Sequence, residues 1–228
     1  MKNKNKNAFF RDSILLLCIS FAVLIRLFPD VKREPIIHEF DPQFNYRVTN
    51  FIDRRGIREF FSWYDNNSWC PQGRFIGETT FPGLMITAVF LKRVMNMHHI
   101  FISIDYCMLY IGIVSSVFQI IIAFYFGKLL KDKNLGIICS VVSTFTSGLV
   151  VRTCSGSYDY ESIAVTILYA TIYFYIRAID ERTSFVPLVA SILLYWYLSW
   201  TWGGYVFVSG AIALFTIVCI LTNTFDVY

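Results

Sequence analysis

The chain has 228 residues, 56% of them hydrophobic, 18% aromatic and only 16% charged, with a mean hydropathy of +0.53. A water-soluble domain carries about 25% charged residues, so this composition excludes an ordinary soluble enzyme. The net charge of +4 is not gathered into a basic stripe and no nucleic-acid-binding motif accompanies it, which argues against a nucleic-acid partner.

Apolar tracts approach the ~20 residues that cross a bilayer core, and they predict an all-α, polytopic membrane bundle. In chain order, six spans are expected at about 13–28, 104–126, 135–151, 162–179, 185–200 and 205–221. The first follows a basic stretch, "MKNKNKNAFFR", that resembles the start of a signal peptide. No small-residue cleavage site follows "LIRLFPD", so it reads as an uncleaved span. Lysine and arginine near short loops set orientation. Lys2, Lys4, Lys6 and Arg11, then Lys128, Lys131 and Lys133, then Arg177 and Arg182 all fall on one side if the path alternates. With that side cytosolic, a large loop at about 31–103 is lumenal or extracellular. "HEFDP" (38–42), "SGSYDYES" (155–162) and "SWTWGGY" (199–205) then share the non-cytosolic face.

Within the large loop, Phe44, Val48, Phe51 and Ile52 recur at helical spacing. Asp41 is the expected N-cap, Pro42 suits the first helical position and Gly56 the end. A second helix is expected from Pro82, with Lys92 and Arg93 beside an apolar face, lying at the membrane interface. The aromatic, Gly- and Pro-bearing stretch between them is expected to be irregular. The six cysteines lack C-x-x-C spacing; Cys18, Cys107, Cys139 and Cys219 read as small buried hydrophobes. Cys70 and Cys154 sit loop-side, and a disulfide between them is not favoured. No internal repeat and no second domain is visible in residues 1–228.

The chemistry gathers at two acid-x-acid pairs, Glu39/Asp41 and Asp159/Glu161. Clustered carboxylates suit a hard divalent cation such as Mg²⁺ or Mn²⁺, and such an ion at a phosphate leaving group neutralises charge as the bond breaks. Either pair alone reads more readily as helix-terminal charge: Asp41 as a cap, Asp159 and Glu161 in the first turn of the fourth span, favoured by the helix dipole. Two pairs on one membrane face bring a site level with that reading. Arg152, at the same end of the third span, reads as a snorkelling cation or a phosphate-binding one. The tryptophans of "WTWGGY" fit an interfacial belt, and the Gly203–Gly204 backbone would admit a lipid or sugar. His38 has no partner at metal-ligand spacing, and Asn66-Asn67-Ser68 is an acceptor triplet for N-glycosylation.

"HEFDPQFNYR", "SWCPQGRFIGETTFPGLM", "GSYDYESIA" and "SWTWGGYVF", in that order, resemble the catalytic subunit of eukaryotic oligosaccharyltransferase. The resemblance implies a GT-C-type helical fold in the endoplasmic reticulum membrane, N-terminus cytosolic and acidic motifs lumenal. It implies transfer of a preassembled oligosaccharide from dolichyl pyrophosphate to asparagine in Asn-X-Ser/Thr. It further implies that Asp41, Asp159 and Glu161 ligate Mn²⁺ or Mg²⁺, that Asp41 also holds the acceptor amide, that Glu39 completes the first catalytic motif, and that Arg152 lies near the substrate path. Implied partners are the lipid-linked donor, acceptor polypeptides, membrane lipid and other subunits of the complex.

The family continues with further spans, another acidic loop and a soluble lumenal domain carrying a WWD motif, a string that does not occur in these 228 residues. The chain is therefore expected to be an N-terminal portion that does not glycosylate peptides by itself. Two other readings stand beside this one. A transferase using dolichyl-phosphate sugars also carries an acidic pair in its first large loop. A transporter or assembly subunit would place acids at mid-membrane or show an inverted repeat, and neither is visible.

Overall fold

A computed structural model describes residues 2–32, 34–180 and 184–222. Arg182, used above for orientation, and residues 223–228 lie outside the described residues. The helices run α1 Lys2–Lys32, α2 Phe40–Arg55, α3 Ile57–Phe61, α4 Ile76–Thr79, α5 Gly83–Met97, α6 Ile104–Leu130, α7 Lys133–Phe145, α8 Ser147–Thr153, α9 Glu161–Asp180, α10 Val186–Thr201 and α11 Tyr205–Leu221. Between α3 and α4 a small antiparallel ribbon pairs β1 Tyr64–Asp65 with β2 Arg74–Phe75, Tyr64 opposite Phe75. The expectation of an irregular stretch there is corrected: two-residue strands carry too little alternation to be read from sequence.

Among the described residues, three helices are long and apolar enough to cross a membrane: Phe9–Lys32 within α1, then α6 and α9. The third expected span, 135–151, is not one straight helix. It breaks at Thr146, whose extended backbone (φ −62°, ψ 113°) interrupts the hydrogen-bond ladder, and α7 and α8 meet at 59°. The pair counts as a fourth crossing if it is one span, and α10 and α11 are shorter apolar helices. The bend matters because α8 carries Arg152 and Thr153.

In α1, Phe10, Leu17, Phe21, Leu24 and Phe28 are exposed while Cys18, Ala22 and Arg26 are buried. That i, i+4, i+8 stripe faces α6 and α7. Small residues let α6 and α7 approach closely: a side chain at Gly127 would meet the Gly136 backbone at 2.8 Å. Hydrogen bonds join Ser115 to Thr166 between α6 and α9 (2.8 Å) and Ser191 to the Thr171 carbonyl between α10 and α9 (3.1 Å). The main core unites α2, α5, α6, α9 and α10 through Val48, Leu84, Met108, Ile163 and Leu198. The loop helices α2 and α5 thus pack onto the bundle, and Lys92 of α5 is tied to Asp53 of α2 at 2.6 Å. All six cysteines are free; Cys139 and Cys154 are half-buried and Cys70 is exposed.

The ribbon is held by one buried carboxylate. Asp65 accepts from Arg47 (2.6 Å), Ser68 Oγ (2.5 Å) and the Asn67 N–H (3.1 Å). Arg74 lies over the rings of Phe44 and Trp69, each at 4.7 Å, and Phe51 stacks on Trp63. Burial alone would raise the Asp65 pKa, but these hydrogen bonds and the Arg47 charge outweigh it and hold the pKa below the usual carboxylate value. A depressed folded-state pKa contributes stability that is present above the unfolded value and lost as pH falls through the folded one. Pepsin cleavage within residues 62–75 should therefore accelerate below about pH 4. Asp65→Asn should remove that pH dependence and leave the ribbon open at all pH values. Equal, pH-independent protection in both proteins would show that Asp65 does not anchor the ribbon.

Candidate functional site at the junction of two acidic motifs

The segment from Cys154 to Tyr160 crosses from α8 to α9 and is almost wholly buried. Its turn needs Gly156, at φ +82°; a Cβ there would collide with the Ile36 carbonyl oxygen. The Ser155 N–H donates to the Arg26 carbonyl (2.9 Å) and the Gly156 N–H to Leu109 (3.3 Å). On the other side the His38 N–H donates to the Gly156 carbonyl (3.4 Å), and His38 Nε2 lies 3.3 Å from the Ser155 carbonyl. Further along, Asn45 Nδ2 donates to the Tyr158 carbonyl (3.1 Å) and Thr49 Oγ1 lies 2.8 Å from the Tyr158 hydroxyl. These bonds sew "HEFD" and the start of α2 to "SGSYD", more than a hundred residues away in sequence.

Asp159 is 8% exposed. Its Oδ1 accepts the Tyr160 N–H at 2.7 Å, and its Oδ2 faces Arg152 Nη1 at 3.4 Å. Burial raises its pKa above the usual carboxylate value; the Tyr160 N–H opposes this, the adjacent Glu161 carboxylate reinforces it, and Arg152 offsets it in part. Such a carboxylate is poorly neutralised by the protein. Tyr160, beside it, has its phenol pushed well up by burial first and then by Asp159, Asp41 and Glu161, against the opposing charge of Arg74. Asp41 therefore acts on the same phenol as the second acidic pair.

Two helix-end expectations are corrected. Asp41 does not cap α2: the helix begins one residue earlier, Glu39 occupies the cap position without a side-chain cap bond, and Asp41 and Pro42 lie in the first turn. Glu39 holds φ 75°, ψ 166°, a region nearly confined to glycine and costing ~1–3 kcal/mol. Asp159 lies before α9, not in its first turn, and its carboxylate bonds the next residue's N–H instead of the helix start; Glu161 is the first residue of α9. Arg152, in the last turn of α8, has a half-exposed side chain turned to Asp159, so it is more than a snorkelling cation.

Among the described residues, no group of three or more His, Cys, Asp or Glu is placed to hold a metal ion. The donor chemistry nevertheless fits a hard cation: oxygen ligands only, with the Glu161 carboxylate raising the Asp159 pKa and with Asp41, Asp159 and Glu161 all acting on the Tyr160 phenol. "WTWGGY" closes one flank. Gly83, at the start of α5, lies against Thr201, and the Phe81 ring reaches Gly203 and stands edge-on to Tyr160 at 6.3 Å. Sequence reasoning missed Arg26, Asn45, Thr49, Arg74, Tyr158 and Tyr160. Asn45 and Thr49 had a readable signal: polar residues one turn apart, beside Val48 and Ile52 on the buried stripe of α2.

A family model described as "Oligosaccharyl transferase STT3, N-terminal" matches residues 12–227. The "Dolichyl-diphosphooligosaccharide--protein glycosyltransferase subunit STT3B" of Arabidopsis thaliana is 36% identical over 227 residues, covering 99% of this chain and 31% of the relative. The corresponding STT3 subunit of Saccharomyces cerevisiae is 34% identical over 216 residues, 93% of this chain and 30% of the relative. The chain thus spans about a third of the length of these curated relatives. Among solved structures, the apo oligosaccharyltransferase of Archaeoglobus fulgidus superposes with a TM-score of 0.78 at 14% identity, over 92% of this chain and 26% of that one. The archaeal AglB in complex with an inhibitory peptide and a dolichol-phosphate superposes at 0.73, also at 14% identity, over 93% of this chain and 26% of that one. These likenesses show a shared fold of the oligosaccharyltransferase, GT-C type.

Proposed function

Because this chain belongs to the oligosaccharyl transferase STT3 N-terminal family, we propose that it forms the donor side of a protein N-glycosylation site. The reaction moves a preassembled oligosaccharide from dolichyl pyrophosphate to the asparagine of an Asn-X-Ser/Thr acceptor. The observation that carries this reading is the junction of His38, through its N–H and its Nε2, with the carbonyls of Gly156 and Ser155, which joins the segments bearing the two acidic motifs. The chain acts in the endoplasmic reticulum membrane with its N-terminus cytosolic and the acids lumenal, alongside other subunits of the transferase. The peptide and dolichol-phosphate of the archaeal complex support acceptor and lipid-linked ligands of these classes.

Asp41, Asp159 and Glu161 would hold Mn²⁺ or Mg²⁺, which supplies Lewis-acid neutralisation of the departing pyrophosphate. Arg152 is half-exposed and only loosely paired to Asp159 at 3.4 Å, so it is free to turn to a phosphate oxygen. Asp41 and Glu39, both exposed at the start of α2, accept from the acceptor amide N–H. They orient its nitrogen for attack on the anomeric carbon, which inverts as the carbon–oxygen bond to pyrophosphate breaks, and one of these carboxylates takes the proton the nitrogen gives up.

A cation at this place has a pH signature. Asp159 has a raised folded-state pKa, so its ionisation costs stability as pH rises through that value. A divalent cation offsets the cost and competes with the proton at lower pH. Mn²⁺ should raise the unfolding midpoint more at pH 8 than at pH 5, and EDTA should reverse the gain; an unchanged midpoint at both would count against a cation here.

The rival reading, a transferase using monophosphate-linked sugars, is separated by donor choice. Native membranes containing the chain should transfer from dolichyl pyrophosphate oligosaccharide and not from dolichyl-phosphate sugar to an Asn-X-Thr peptide. The reverse preference would overturn the proposal.

A further inference from the structure

Arg26 is 1% exposed and sits in the membrane-crossing part of α1, where nothing in the motif reading gave it a role. Among the described residues it makes no ion pair within 4.0 Å. A buried cation in a membrane span is disfavoured relative to a packed apolar side chain, so its presence asks for a function. Its contacts point one way. Nε donates to Thr153 Oγ1 at 2.7 Å, Nη1 donates to the Ala22 carbonyl at 3.3 Å, and the Arg26 carbonyl accepts the Ser155 N–H at 2.9 Å. Side chain and main chain of one residue therefore grip both ends of the segment 153–155. That segment follows Arg152 and leads into the Gly156 turn and Asp159.

We propose that Arg26 is a positioning residue for the acidic site: it fixes the end of α8 and the turn behind it, so that Arg152 and Asp159 face the donor. The inference rests on the donor-site reading above. Thr153 transmits the hold, being itself bonded to the Leu149 carbonyl and packed against Gly112 of α6.

The test replaces the endogenous copy in native membranes with Arg26→Lys, Arg26→Met, Thr153→Val or the Met/Val double variant. Lysine keeps the charge and loses the planar Nε–H. Loss of a residue that only orients acting groups costs about 10–100-fold. Arg26→Lys and Thr153→Val should each lower kcat by about tenfold or more, with the KM for an Asn-X-Thr peptide and the unfolding midpoint in detergent unchanged. Arg26→Met should lose more, and adding Thr153→Val to it should lose little further, because the Nε–Thr153 bond is already gone in Arg26→Met. Wild-type kcat in the Lys and Val variants, or losses that follow the unfolding midpoint, would overturn the role of Arg26. Absence of transfer from the wild-type membranes would instead contradict the donor-site reading itself.

Discussion

Asp159→Asn is expected to lower transfer by about 10³-fold or more while leaving the protein at least as stable at neutral pH. The two effects separate because the carboxylate is held against its own preference. Burial and the neighbouring Glu161 raise its pKa, so the ionised form is a cost to the folded state without a cation. Asparagine is isosteric and neutral, and its Oδ1 still accepts the Tyr160 N–H that Asp159 accepts at 2.7 Å. Arg152 loses a partner, but its side chain is 50% exposed and water replaces the loose pair at little expense. What disappears, on the proposed function, is a charged oxygen ligand for the cation that would neutralise the departing pyrophosphate, a loss of several kcal/mol in the barrier, at 1.36 kcal/mol per tenfold. Rates of oligosaccharide transfer and unfolding midpoints, measured on the same membranes and the same purified variant, check both halves. A fall in rate matched by a fall in midpoint would reduce Asp159 to a structural role.

Gly156→Ala is the second large effect, acting through geometry alone. At φ +82° an L-residue pays roughly 1–2 kcal/mol for the left-handed backbone. The added Cβ also meets the Ile36 carbonyl, which is main chain and cannot swing aside. Either the turn or the segment 36–38 must shift, breaking the His38–Gly156 bond that joins the two motifs. A displacement near 1 Å costs about 10²-fold in rate, so transfer should fall by at least that much. Gly148→Ala in α8 is the control: nothing lies within 4 Å of its Cβ, and alanine favours helix by up to ~1 kcal/mol. If the two alanines behave alike, the turn at Gly156 does not set the distance between motifs.

The membrane crossings were legible because a bilayer imposes length and apolarity on α1, α6 and α9. The break at Thr146 was not. No proline marks it; the local signal is Ser143, Thr144, Thr146, Ser147 and Gly148 around Phe145, residue types that membrane helices also tolerate without breaking. The acidic pairs were legible as acid-x-acid spacing, and charge placement alone put them at one end of the bundle. Their attachment was hidden, since its receiving atoms are the backbone carbonyls of Ser155, Gly156 and Tyr158, which leave no mark on residue type. Arg26 was masked by its setting: within "LIRLF" no motif marks it, and only the packed structure shows it turned inward to Thr153. The cap of α2 was misplaced because Asp41-Pro42 is a strong local start signal, while the chain enters the helix through a strained Glu39.

The claim that the two motifs form one site is tested most directly by a double-mutant measurement of transfer from dolichyl pyrophosphate oligosaccharide in the presence of Mn²⁺. Asp41→Ala and Asp159→Ala should each remove nearly all activity. Residues that act as a unit are strongly non-additive, so the double variant should be no slower than the slower single. Losses that multiply, or a wild-type rate in either single variant, would contradict a shared site.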